Sequence, residues 1–427
     1  MFRKLCSVSL FFVLLPSLSF ASPEDAHTNP LSRVLILITV MLFFAKLLGE
    51  LFERLGQPSV LGELLTGMLL GNAKFIFGID LFEGISSDDV IVALSELGAV
   101  ILLFEIGLQS TVGEMKEVGL PSFLVAAVGV ILPFLLGYFT TWIVRPHADW
   151  KVLMFAGAIL TATSVGITAR VFRDLGRLAT QEAKIILGAA VIDDVLGLIV
   201  LSIVSGIVVS GGISTVRVVK IVAVSFGFLF GAIAVGTWIV PRLTTAVSVM
   251  KGQGTKLVYL LLFCFSFALL ASEIGLAPII GAFAAGLILE EVQFKNFTGE
   301  HEAEELIKPI STFLVPIFFV VMGASVKFDT FMDMEIYGLA AALTIAAIIG
   351  KQACGLAAWN KKGEPKLDRL SIGIGMIPRG EVGLIFASIG RGIGVVDDLT
   401  YSAVIMMVVV STMMVPPLLK WSMNRKA

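Results

Sequence analysis

The sequence predicts an all-α polytopic membrane protein with thirteen transmembrane helices in two inverted six-helix repeats. Hydrophobic residues make up 57% of the 427 residues and charged residues 15%, whereas a soluble domain is about one quarter charged. The mean hydropathy is +0.97. Apolar windows of about 20 residues, the length that an α-helix needs to cross a bilayer, recur along the chain. Similar glycine motifs recur in the two halves of the sequence.

Residues 1–21 have the pattern of a cleavable signal peptide. Two basic residues precede an apolar run, and small residues occupy the −3 and −1 positions before a cleavage point after Ala21. An uncleaved additional span is the alternative. In either case residues 22–33 are expected to lie outside the cytoplasm. The formal net charge of −2 gives no basic surplus for binding nucleic acid, so the expected surroundings are the lipid bilayer.

Thirteen apolar windows follow the signal peptide. They cover residues 34–52, 58–75, 91–108, 121–144, 151–172, 182–210, 216–241, 255–274, 276–292, 308–328, 337–360, 368–390 and 399–421. When the first span starts outside, the loops assigned to the cytoplasm hold most of the lysines and arginines, as the positive-inside rule requires. The sequence therefore predicts an external N-terminus and a cytoplasmic C-terminus.

Two pairs of spans share glycine patterns at nearly the same offset. The G-x4-G segment that follows Pro58 in span 2 recurs after Pro278 in span 9, and Gly107 in span 3 corresponds to Gly323 in span 10. Seven spans separate each pair, so the copies have opposite orientations, which is typical of inverted repeats. Ordinary packing through small residues is the alternative. The predicted units are a first repeat at 34–210 (spans 1 to 6), a linker span at 216–241 and a second repeat at 255–421 (spans 8 to 13).

Spans 5 and 12 predict discontinuous helices. Residues 160–168 are rich in hydroxyl groups, and residues 373–383 combine glycines with Pro378. Freed backbone groups are tolerated at membrane depth only where protein or a water-filled cavity satisfies them, and the ends of half-helices can stabilise ions there. The alternative for the hydroxyl groups of span 5 is back-bonding within a continuous helix. The residues concerned are Thr161, Thr163 and Ser164.

Asp193 and Asp194 lie side by side in apolar span 6, and Lys351 lies inside apolar span 11. Intramembrane carboxylates are unfavourable and usually line a cavity, carry ions or pair with a base. A buried lysine needs a carboxylate or loses its proton. Because consecutive helical residues point about 100° apart, one aspartate can meet Lys351 while the other faces a water-accessible cavity. A purely structural bridge with a spare aspartate is the alternative.

A desolvated carboxylate that holds either a proton or a cation can exchange the two. Na+ is a hard ion and is expected to take oxygen ligands from Asp194, from the hydroxyl groups of span 5 and from freed carbonyls. The expected ligands are thus transported monovalent cations and H+, and no cofactor is called for. Cys264 and Cys354 both lie in apolar spans, which leaves no disulfide or metal framework.

Four further charged residues accompany this group. Arg379 and Glu381 of span 12 would face lipid unless a cavity receives them. Glu63 and Glu105, in spans 2 and 3, could balance Arg379 or line a funnel, and ion pairing within the helix packing is the favoured role for each.

Together these motifs resemble the cation:proton antiporter-2 family, in particular its bacterial sodium/proton antiporter branch. The resemblance covers nearly everything from 34 to 421 and rests on the span 5 motif, the Asp193-Asp194 pair, Lys351 and the segment Pro378-Arg-Gly-Glu-Val-Gly-Leu. It implies the sodium/proton antiporter fold, a homodimer in the bacterial inner membrane, and elevator-like movement of a core domain. By motif position, Asp194 resembles the ion-binding aspartate and Asp193 the partner of the lysine.

The resemblance implies a secondary antiporter rather than an enzyme, with a role in pH homeostasis. Members with two aspartates and the lysine are typically electrogenic, exchanging two protons per Na+. A potassium/proton antiporter of the same fold is the alternative. An intramembrane aspartyl protease would place its acids on separate facing helices, and the sequence has no G-x-G-D segment. A passive channel would need neither broken helices nor inverted halves.

Overall fold

The structure is a computed structural model of the chain. It describes residues 30–108, 118–210, 254–289, 303–326, 334–359 and 366–425, together with residue 328 and scattered positions between 216 and 242. The predicted signal peptide lies outside the described residues, and the predicted linker span is described only in part.

The described residues form α-helices and short 3-10 turns. The α-helices are α1 Pro30–Arg54, α2 Val60–Gly71, α3 Ala73–Phe77, α4 Asp89–Leu108, α5 Gly119–Val144, α6 Trp150–Thr161, α7 Val165–Asp174, α8 Gln181–Ser210, α9 Thr255–Glu273, α10 Pro278–Ile288, α11 Ala303–Ala324, α12 Met334–Cys354, α13 Arg369–Gly375, α14 Gly380–Gly392 and α15 Asp398–Asn424. In the part of the chain that the structure describes, no β-strand forms.

Eight helical segments among the described residues are long and apolar enough to cross a membrane, and shorter apolar helices lie between them. The described helices overlap the predicted apolar windows, although several extend a few residues beyond them and α2 ends earlier than its window. The side chain of Asn72 ends α2 by donating from Nδ2 to the carbonyls of Met68 and Val326, at 2.8 and 2.7 Å. The count of thirteen spans stays a prediction, because the segment 216–241 is only partly described.

The helices pack into two bundles, and each bundle draws on both halves of the sequence. The first bundle contains α1, α2, α4, α9, α10 and α11, and the second contains α5 to α8 and α12 to α15. The main contacts between the bundles join α7 to α2 and α4, and α15 to α2. Helix α7 is therefore the part of the second bundle that reaches furthest into the first.

Glycines set the closest helix contacts of the first bundle. A Cβ atom at Gly67 of α2 would lie 2.0 Å from the carbonyl oxygen of Val320 in α11. In the same way, a Cβ atom at Gly286 of α10 would lie 2.4 Å from the carbonyl oxygen of Phe104 in α4. Small residues permit such close backbone approach between membrane helices. Span 2 thus packs on span 10 as span 9 packs on span 3.

Candidate ion-binding site

Both interruptions predicted from the sequence are present, and they meet. Residues 162–164 separate α6 from α7, and residues 376–379 separate α13 from α14. The amide of Ser164 donates to the carbonyl of Pro378, with an N···O distance of 2.8 Å. The two non-helical segments are therefore in direct backbone contact inside the second bundle, where each satisfies part of the other's hydrogen bonding.

Gly380 allows this contact. It has a φ of +30°, and a Cβ atom there would lie 2.4 Å from Oγ and 2.5 Å from Cβ of Ser164. A side chain at this position would collide with Ser164 and would also strain the backbone. The glycine that begins α14 is thus required by the geometry of the crossing.

The side chains at the crossing satisfy carbonyls that the interrupted helices leave open. Arg379 donates from Nη1 to the carbonyl of Ala162, next to the end of α6, and its side chain is fully buried. Thr168 donates from Oγ1 to the carbonyl of Gly375 at the end of α13, at 2.7 Å. The guanidinium therefore lies beside the negative end of the α6 dipole, where a positive charge is favourable.

Asp193 and Lys351 form a buried ion pair between α8 and α12. The Nζ atom of Lys351 lies 3.0 Å from Oδ1 of Asp193, and the two side chains are 0% and 1% exposed. A charge that is removed from water to this extent is tolerated only when it is paired. The structure therefore brings together the two groups that the sequence analysis expected to meet.

Asp194 lies in a different environment from its neighbour. It is partly exposed, whereas Asp193 is buried, because the two side chains leave α8 about 100° apart. Helix α8 packs against both α6 and α13, the helices that lead into the crossing. Of the two aspartates, Asp194 is the one with exposed surface.

The three hydroxyl residues of the first interruption are all buried but differ in their hydrogen bonds. The hydroxyl group of Thr161 donates to the carbonyl of Ala158 at 2.7 Å. This is the hydrogen bond to the residue's own helix that was the alternative to ion binding. Thr163 Oγ1, by contrast, is buried without a hydrogen-bond partner among the described residues. The side chain of Glu381 lies outside the described residues.

Glu63 and Glu105 do not balance Arg379 but pair with arginines of α7. Glu63 lies 3.2 Å from Nη2 of Arg170, and Glu105 lies 2.5 Å from Nη1 of Arg173. From the sequence, ion pairing within the helix packing was favoured for both glutamates, as the structure shows, but Arg170 and Arg173 were not identified as their partners. The sequence signal that could have identified the two arginines was their i, i+3 spacing, which places them on one face of a helix.

Another ion pair joins the end of α5 to the start of α15 within the second bundle. Arg145, after α5, contacts Asp397, before α15, through two hydrogen bonds of 3.0 and 2.7 Å. Partial burial alone would raise the pKa of the Asp397 carboxyl, but hydrogen bonds from Arg145 and Thr400 outweigh it and lower the pKa to about 2. This carboxylate is therefore ionised at any physiological pH.

Sequence comparison decides the family. A sequence profile of the family described as "Sodium/hydrogen exchanger, transmembrane" matches residues 3–421. The chain belongs to the sodium/hydrogen exchanger family. It is 37% identical to the "High-affinity Na(+)/H(+) antiporter NhaS3" of Synechocystis over 95% of this chain and 94% of that protein. It is 34% identical to the "Na(+)/H(+)-K(+) antiporter GerN" of Bacillus cereus over 91% and 96%.

A solved structure supports the fold. The sodium proton antiporter MjNhaP1 from Methanocaldococcus jannaschii superposes with a TM-score of 0.64 at 17% identity, covering 92% of this chain and 100% of that one. The chain is thus a multi-pass membrane protein with an antiporter fold, and its relatives are transporters rather than enzymes.

Proposed function

We propose that this protein is a secondary active sodium/proton antiporter in which H+ and Na+ compete for Asp194. One observation carries the proposal: two adjacent aspartates occupy different environments. Asp193 is held in a buried ion pair with Lys351, while Asp194 is partly exposed on a helix that packs against both interrupted spans. Such a division separates a charge-balancing carboxylate from one that can accept a ligand.

The chemistry of exchange follows from the position of Asp194 inside an apolar span. An ionised carboxylate at membrane depth is unfavourable, so it takes up either a proton or a cation. For Na+ or Li+ the oxygen ligands would be Asp194, the hydroxyl group of Thr163 and carbonyls at the crossing, since hard cations prefer oxygen. Thr161 and Ser164 would line the site, and Arg379 would hold the crossing together.

The charge pair suggests an electrogenic cycle. In this proposal a change of partner at Asp193 leaves Lys351 without a counter-ion, and Lys351 then releases a proton. Two protons would then move against one Na+. Proteoliposomes with an imposed membrane potential test this point, because an electrogenic exchanger changes its rate with the potential. A rate that does not depend on the potential would contradict the two-proton stoichiometry.

Potassium/proton exchange is the second candidate. The name of the GerN relative includes K+, and a further relative, 27% identical over 77% of this chain, is the "K(+)/H(+) antiporter subunit KhtU" of Bacillus subtilis. Selectivity between the two ions depends on small differences in the oxygen cage. Parallel flux measurements with Na+, Li+ and K+ distinguish the candidates.

The arrangement of the bundles supports an elevator-type cycle. In this proposal the second bundle carries the site across the membrane against the first, and two copies associate as a homodimer in the bacterial inner membrane. The equivalent glycine contacts of spans 2 and 10 and of spans 9 and 3 support the inverted repeats. The external N-terminus, the cytoplasmic C-terminus and the signal peptide at 1–21 are parts of the same proposal.

Ion exchange in proteoliposomes tests the proposed function. In vesicles that hold a pH gradient, adding Na+ should collapse the gradient, and Asp194→Asn should abolish the response. Asp398→Asn is a matched control, since this aspartate is 84% exposed at a helix end, and it should leave the response unchanged. A wild-type protein that responds to none of Na+, Li+ and K+ would refute the proposal.

A further inference from the structure

A cluster of buried ion pairs joins the two bundles at one end of their interface. Arg170 of α7 contacts Glu63 of α2 at 3.2 Å, with side chains 12% and 6% exposed. The same guanidinium lies 3.0 Å from Asp174. Across the interface, Ser59 donates to Asp174 at 3.2 Å. Through these groups the α7 helix is attached to the start of α2.

Arg173 makes a second attachment one turn further along α7. It donates to Glu105 of α4 at 2.5 Å and to Ser311 of α11 at 3.0 Å. Ser311 in turn donates to Glu105 at 2.6 Å. The two arginines thus connect α7 with three helices of the first bundle, and in the cluster Glu63 and Glu105 have the role that the sequence analysis favoured, ion pairing within the helix packing.

The other described part of the interface has a different character. A cavity between α2, α11, α14 and α15 is lined almost entirely by apolar side chains, including Leu64, Met68, Met322, Leu384 and Val408. Apolar surfaces can slide past one another without leaving unpaired charges. Ion pairs cannot, because separating them in a dry interface leaves uncompensated buried charges.

The α7 helix is also the element that leads directly to the site. It begins one residue after Ser164, and the predicted topology places its Arg170 and Arg173 end toward the cytoplasm. In the proposed elevator-type cycle the second bundle moves against the first, and α7 then moves relative to α2 and α4, which it contacts across the interface. The ion pairs oppose that separation until water can solvate the charged groups.

We propose that Arg170 and Arg173, with Glu63 and Glu105, form a latch that closes the cytoplasmic route to Asp194 and must open in every transport cycle. This inference rests on the proposed function. Because both arginines belong to the same helix, α7, we expect the latch to open as a unit, so that loss of the Arg173 contacts also loosens the Arg170 contacts. A merely local role for Arg173 would not have this effect.

Thiol labelling at Ser59 tests the concerted opening. In a background without native cysteines, Ser59→Cys reports access at α2, which Arg173 does not contact in the structure. A membrane-impermeant thiol reagent, applied from the cytoplasmic side of vesicles, should label this cysteine about tenfold faster when Arg173→Gln or Glu105→Gln is present. Arg145→Gln is the matched control, since its ion pair lies within the second bundle. Labelling rates within twofold of each other would overturn the latch.

A cross-link provides a second test, in which a covalent link holds α7 and α2 together. Ser59→Cys and Asp174→Cys, joined by a short bifunctional thiol reagent, should stop ion exchange, and cleavage of the linker should restore it. Exchange at an unchanged rate while the linker is intact would overturn the latch. The labelling experiment needs no transport, so a wild-type protein without exchange refutes the proposed function and leaves the latch to be decided by labelling.

Discussion

Replacing Lys351 by methionine removes the positive charge of the buried ion pair and keeps an unbranched side chain of similar length. At the observed N···O distance of 3.0 Å, two unit charges attract by about 5 to 6 kcal/mol at an effective dielectric constant near 20. Desolvation offsets much of this energy in the intact pair. Loss of one partner is different, because Asp193 is left without the counter-ion that Lys351 provides, and such losses amount to about 3–5 kcal/mol.

The assay is equilibrium unfolding in mixed micelles, carried out as a double-mutant cycle with Asp193→Asn. Each single variant should lose about 3 kcal/mol or more, and the double variant should recover at least about 2 kcal/mol, because neither charge is then stranded. Lys74→Met, at an exposed ion pair, should have no measurable effect. The coupling is refuted if the loss of unfolding free energy in the double variant equals the sum of the two single losses to within about 0.5 kcal/mol, because coupled residues do not behave additively.

Three further predictions concern the crossing of the interrupted helices and the ion pair of Asp397. Gly380→Ala should lower the melting temperature sharply, because its Cβ would lie 2.4 Å from Ser164 Oγ. Ser164→Gly should restore part of the loss, and Gly392→Ala, where no heavy atom lies within 4 Å, should have little effect; an equal effect at both glycines would contradict the steric argument. Thr168→Val removes a buried hydrogen bond of 2.7 Å and strands a carbonyl, so thermal unfolding should show a loss of about 1–3 kcal/mol, and an unchanged melting temperature would count against it. Asp397 has a pKa of about 2 in the folded protein and near 3.9 when unfolded, so its stabilisation is complete above about pH 4 and is lost as the pH falls toward 2. The difference in melting temperature between wild type and Asp397→Asn should therefore shrink over that window, and a constant difference would refute it.

The sequence was informative where polar groups had to be explained inside apolar windows. A lysine and two aspartates at membrane depth must find partners, and this requirement alone brought Lys351 to the aspartates. The interruptions were predictable for a similar reason, since Pro378 removes an amide and hydroxyl-rich sequence competes with helical hydrogen bonding. These arguments use local chemistry that the surrounding helices do not alter.

Packing between distant helices was not predictable in the same way. Hydropathy does not distinguish a side chain that faces lipid from one that faces another helix, so Arg170 and Arg173 were not identified as the ion-pair partners of Glu63 and Glu105. Helical periodicity separates Asp193 from Asp194 by about 100° but does not say which of them meets Lys351. That choice came from the family resemblance, and only the three-dimensional arrangement of α8 and α12 shows the contact.

Proton release on addition of Na+ tests most directly whether one carboxylate serves both ions. Purified protein in a weakly buffered detergent solution, near the pH at which Asp194 is half protonated, should acidify the solution when Na+ is added at constant ionic strength. Choline should have no effect. Asp194→Asn should release no protons on addition of Na+. Acidification that is absent in the wild type, or unchanged in Asp194→Asn, would contradict competition between H+ and Na+ at Asp194.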